Sequence, residues 1–141
     1  MVLAAPANLS ARSPARTPLL LGAGAAALAG ALLLRDPHHS GSWGYCPFLL
    51  VTGHPCPACG GLRATHDLLT GDWAAALSSN AYVVLTVVVA ATGYAAWLAA
   101  ALRGRRPSWA RHLPTLVAWW GIGLAVFGVA RYLPALSALR P

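Results

Sequence analysis

All three cysteines, all three aspartates and four of the five histidines of this 141-residue chain fall between residues 35 and 79. Any chemistry beyond packing therefore belongs to that stretch. Its centre reads Cys46-Pro47-Phe48, then Thr52-Gly53-His54-Pro55-Cys56-Pro57-Ala58-Cys59-Gly60-Gly61-Leu62-Arg63-Ala64. Prolines 47, 55 and 57 fix φ and remove amide donors, while Gly53, Gly60 and Gly61 open backbone shapes closed to other residues, so the segment reads as a rigid turn. Three chemistries fit. Cys56 and Cys59, spaced Cys-x-x-Cys, suit a reversible disulfide with Cys46 as a third thiol. Cys46, Cys56 and Cys59 with His54 or His66 suit Zn, and soft thiolates also suit Cu(I). In an oxidising exterior, a disulfide joining Cys56 to Cys59, or Cys46 to one of them, would staple the turn while the protein serves an assembly role. The structural, assembly reading is the expectation taken forward. A Cys59–His66 hydrolase is disfavoured, because no orienting group or oxyanion donor can be placed, and nothing else points to an enzyme.

The residues that follow set the expected surroundings of these thiols. Leu62, Leu69, Trp73 and Leu77 recur at helical spacing, with Arg63, His66, Asp67 and Asp72 on other faces. This predicts an amphipathic helix within 60–79, broken near Gly71-Asp72 and lying on the outer membrane surface. A helix starting near Cys59 would put that thiol at the positive end and Arg63 one turn on, both favouring thiolate. Arg63 is expected to face the turn and hydrogen-bond its carbonyls. Arg63, Gly53, Gly60 and Pro57 are thus the supporting residues of the candidate site.

The rest of the chain must hold that turn, and its composition says in what solvent. Apolar residues make up 57% and charged ones only 9%, far from the quarter charged of an ordinary soluble domain. The formal charge of +7 comes from ten arginines and no lysine. They flank apolar runs and form no basic stripe, which excludes a nucleic-acid binder and fits topogenic charge. Residues 1–17 read as a disordered tail. Residues 18–34 form the first span, whose sixteen apolar residues cover ~24 Å of a ~30 Å hydrocarbon core; an uncleaved anchor is preferred there over a signal peptide. Residues 80–102, which Asn80 can cap, form the second span and residues 113–132 the third. Gly22, Ala26 and Gly30 in the first span and Gly121, Gly123 and Gly128 in the third suit close helix approach. The expectation is an all-α integral membrane protein with about three transmembrane helices plus a surface helix after the Cys/Pro/Gly turn, residues 18–141 forming one membrane domain. Its partners are the lipid bilayer and a membrane protein or a second copy of itself. Arginine counts predict a cytoplasmic N-terminus and four-arginine loop (Arg103, Arg105, Arg106, Arg111), with the cysteine loop and the C-terminus outside.

The spaced string Cys46-Pro47, Thr52-Gly53, Cys56-Pro57-Ala58-Cys59-Gly60, Arg63-Ala64, Leu68-Leu69, Gly71-Asp72 and Asn80 resembles a bacterial membrane-protein family known as domain of unknown function 2752. The resemblance covers about residues 43 to 100. It implies a multi-span bacterial membrane protein and supplies no activity. In the family pattern Thr usually stands at the position of Leu62, and Pro often follows the Asn, where this chain has Ala81.

Overall fold

The computed structural model describes residues 15–105 and 107–133, so Arg12, Arg106, Arg140 and most of the expected tail lie outside the described residues. Among the described residues all regular structure is helical. Three helices are long and apolar enough to cross a membrane: α1 (Arg16–Leu34), α4 (Trp73–Leu102) and α5 (Leu113–Ala130), the last preceded by a 3₁₀ turn over Ser108–His112. Two short helices lie between α1 and α4: α2 (Pro47–Thr52) and α3 (Gly61–Thr70).

The long helices leave most of their large side chains uncovered, Leu28, Val89 and Trp119 each being about two-thirds exposed. In water that would be a large unpaid apolar area, whereas in lipid it is the solvent-facing surface. Helix α1 starts at Arg16, two residues before the expected span, which lengthens it to 19 residues. At ~1.5 Å per residue this is nearly the hydrocarbon thickness.

Two contacts among the long helices are made where a glycine lets a tyrosine ring approach. A Cβ on Gly22 would sit 2.1 Å from the Tyr94 hydroxyl, and that hydroxyl donates to the Pro18 carbonyl at 2.9 Å, joining α4 to α1. A Cβ on Gly123 would sit 2.8 Å from the Tyr82 hydroxyl, which donates to the Trp120 carbonyl while Trp120 Nε1 donates to Thr86 Oγ1. Gly24, Gly30 and Gly121 have open space. The glycines of each run therefore divide into packing and non-packing positions.

The buried core is small and sits under the cysteine turn: Ala64 of α3 against Ala76 and Val84 of α4, with Leu68 and Val83 around them. The expected break falls where predicted, Gly71 ending α3 in the left-handed region and the Asp72 carboxylate accepting from Ala75 N to start α4. Leu62, Leu69, Trp73 and Leu77 all face outward. The apolar stripe legible in the sequence is the outer face, and Ala64 and Leu68 make the protein contact. A second interruption is at Asn80, whose φ of −168° leaves the helical region. Its side-chain Oδ1 accepts from Val83 N at 3.0 Å, capping the spanning part of α4.

Candidate functional site

Cys46 is the N-cap of α2, with Pro47 in the first helical position where its missing N–H costs nothing. Six residues later Gly53 closes the helix with φ of 70°, returning the chain toward Cys56. The expected rigid turn thus holds a helix of one and a half turns. Cys56 to Cys59 then forms a tight turn with Pro57 and Ala58 at its corners, closed by Cys59 N donating to the Cys56 carbonyl at 3.0 Å. Gly60, with φ of 83°, redirects the backbone into α3.

This path brings the three sulfurs together, all within 4.8 Å of one another. Cys56 Sγ and Cys59 Sγ are 3.1 Å apart, and Cys59 Sγ also accepts from Cys56 N at 3.1 Å. All three are free thiols. The disulfide expected to staple the turn is therefore not formed, and other bonds hold it.

Those bonds come from residues far along the chain. Arg131, just beyond α5 and almost wholly buried, points Nη1 at the carbonyls of Cys59 (3.1 Å), Pro57 (3.3 Å) and Cys56 (3.4 Å). Asn80 Nδ2 donates to the carbonyls of Pro57 (3.1 Å) and Cys59 (3.0 Å). Tyr132 donates to the Pro55 carbonyl at 2.7 Å, and Pro57 lies against Gly128, where a Cβ would stand 2.4 Å from its Cγ. The role expected of Arg63 belongs to Arg131. Arg63 lines the cleft beside the thiols, but its Nε donates to the Pro37 carbonyl at 3.4 Å. Arg131 is one of the arginines that flank the apolar runs, and what sets it apart in the sequence is that it closes the uncharged run of α5.

The electrostatics also differ from expectation. Helix α3 begins at Gly61, so Cys59 lies before the helix rather than within its first turn. Burial, and then the neighbouring Cys56 and Cys46, push its thiol up to about 12. The thiol brought down is Cys46, to about 7, chiefly by the Leu49 backbone N–H at the start of α2 and also by its sulfur neighbours.

Neither histidine joins the sulfurs. His54 binds the Thr52 carbonyl through Nδ1 at 2.7 Å and stands edge-on to Tyr132. His66 lies with Asp36 and His38 in a separate group. The expected Cys₃His set therefore resolves into a three-sulfur cluster, opening into a cleft of about 640 Å³ that Cys46, Cys56, Cys59, His39, Tyr45 and Arg63 help to line.

Residues 46–94 match the model of a family described as "Protein of unknown function (DUF2752)", the family expected from the cysteine signature. The matched segment contains all three cysteines, α3 and most of α4. No curated protein and no solved structure gives a significant match.

Proposed function

We propose that this chain is a small membrane protein whose cysteine turn holds a thiolate-binding d¹⁰ metal ion, Cu(I) or Zn(II), on the outer face of the membrane. The observation that carries the reading is the convergence of Cys46, Cys56 and Cys59 within 4.8 Å without a disulfide. Three sulfurs about 2.3 Å from one ion stand roughly 4 Å apart, so a small opening of the 3.1 Å Cys56–Cys59 contact suffices. Thiolates select soft metals. Cu(I) is satisfied by three sulfurs, whereas Zn(II) needs a fourth ligand, for which the cleft leaves room. Three thiolates around one such ion carry net negative charge, and Arg131 behind the turn with Arg63 in the cleft supplies the opposite sign. The structural role expected of the turn belongs to the same reading, since it joins α3, α4 and α5. Outward placement rests on the arginine excess of the loop over residues 103–112.

Metal analysis of the full chain purified in detergent, reconstituted with Cu(I) under reducing conditions or with Zn(II), tests this. One Cu(I) per chain is expected, or one Zn(II) that capping the cysteines with N-ethylmaleimide releases, and either is lost on Cys46→Ser as well as on Cys56→Ser. A chain whose uncapped thiols bind neither ion contradicts the reading, as does one in which the thiols left by Cys46→Ser bind as well as those of the wild type.

A second reading is favoured by the 3.1 Å sulfur contact and the Cys56 N–H on Cys59 Sγ. Here Cys56 and Cys59 pass two electrons and two protons to a partner's disulfide, forming their own S–S bond while the partner leaves as a dithiol. It predicts a metal-free chain that cycles between dithiol and disulfide and keeps cycling after Cys46→Ser.

A further inference from the structure

His66, expected beside the cysteines, instead faces two residues from the segment after α1. One ring nitrogen from each of His38 and His66 and a carboxylate oxygen of Asp36 lie within 4.8 Å of one another, the two rings meeting edge to face at 5.7 Å. We propose that Asp36, His38 and His66 form a second cation site, of nitrogen and oxygen donors, that takes a borderline divalent ion such as Zn(II) independently of the thiols.

Three observations carry it beyond proximity. The donor set, two imidazoles and a carboxylate, is one that borderline divalent ions accept and Cu(I) does not prefer. His66 Nδ1 is buried without a hydrogen-bond partner, and Asp67 Oδ1 stands 3.6 Å from it, beyond hydrogen-bond range. An orphaned buried imidazole nitrogen costs free energy that an ion would return. Behind the group, the buried Asp67 carboxylate holds His38 Nε2 at 2.6 Å through Oδ1 and accepts from Ser79 Oγ at 3.2 Å through Oδ2. A carboxylate fixing one nitrogen of a histidine, and with it the tautomer that frees the other, is the usual outer support of a metal-bound imidazole. Asp67 is thus a positioning residue, and Asp36 supplies the formal charge on the near side.

The site lies among exposed and half-buried groups where the segment after α1 meets α3, so an ion can enter from the aqueous side. Its two halves come from either end of a 30-residue excursion, so an ion would also tie the segment after α1 to α3.

Co(II), which reports ligand type by its visible spectrum, tests the proposal on the full chain in detergent after the cysteines are capped with N-ethylmaleimide. One Co(II) per capped chain is expected, with ligand-field bands and no thiolate charge-transfer band. His66→Ala and His38→Ala should each weaken it by at least about tenfold, while His112→Ala, exposed and in the turn before α5, leaves it unchanged. Asp67→Asn should weaken Co(II) by roughly 10- to 100-fold while the uncapped thiols keep their affinity, a split that general unfolding would not give. No Co(II) in the capped chain overturns the proposal, as does full affinity in the His38→Ala/His66→Ala double variant with helicity retained. Because the thiols are capped, neither result bears on the sulfur site.

Discussion

Removing Asn80 and Arg131 singly and together tests whether the turn is held by shared donors. The carbonyls of Pro57 and Cys59 each accept from both residues, so either single variant leaves both acceptors served. Asn80→Ala loses the Val83 cap, worth about 1 kcal/mol, and one of two donors to each carbonyl, for a total near 2 kcal/mol. Arg131→Met loses charge-assisted bonds worth about 1.5–3 kcal/mol. In the double variant both carbonyls lose their Asn80 and Arg131 donors inside a part-buried joint, where the cost falls toward the lower end of the about 1–3 kcal/mol of an unsatisfied buried polar group. The double loss should therefore exceed the sum of the singles by about 1–2 kcal/mol, within the range seen for residues sharing one network. Equilibrium unfolding in mixed detergent and SDS, followed by the helical circular dichroism signal, measures all four corners of the cycle. Strict additivity, within about 0.5 kcal/mol, would refute the shared-acceptor account.

Gly128→Ala should destabilise by about 1–3 kcal/mol through overpacking against Pro57, whereas Gly121→Ala, facing open space, should not, as the same unfolding assay would record. With metal removed by a chelator, iodoacetamide should modify Cys46 first, at half-maximal rate near pH 7: rising pH converts thiol to the reactive thiolate, and Cys59, pushed up to about 12, stays slow at that pH; peptide mass mapping reads both. A membrane-impermeant maleimide applied to intact cells should label Cys46 under the same chelation, and labelling only after lysis would reverse the proposed orientation.

How much of this was legible in the sequence follows from range. The three spans could be read because apolar runs bounded by arginine are local signals, and so could the Asp72 and Asn80 breaks, since a cap involves residues three apart. The Cys-Pro-Ala-Cys turn was likewise written in its own prolines and glycines. Arg131 on the Cys56–Cys59 carbonyls, more than 70 residues away, was not, because an all-round apolar helix such as α5 has no periodicity to say which face meets the protein. His66 is a candidate sulfur partner only by its nearness in sequence; in α3, which starts at Gly61, its ring groups with Asp36 and His38, a pairing across about 30 residues that no local spacing encodes. The stripe of Leu62, Leu69, Trp73 and Leu77 points outward, in keeping with the expected amphipathic helix, whereas the contact made by Ala64 and Leu68 has no comparable signal in the pattern.

X-ray absorption at the metal edge of the chain loaded with one equivalent of Cu(I) tests the central claim most directly. The account predicts a first shell of three sulfurs at about 2.3 Å, with no nitrogen scatterer, and its collapse in the Cys46→Ser variant. A two-sulfur shell unchanged by Cys46→Ser, or a shell containing imidazole nitrogen, would contradict it.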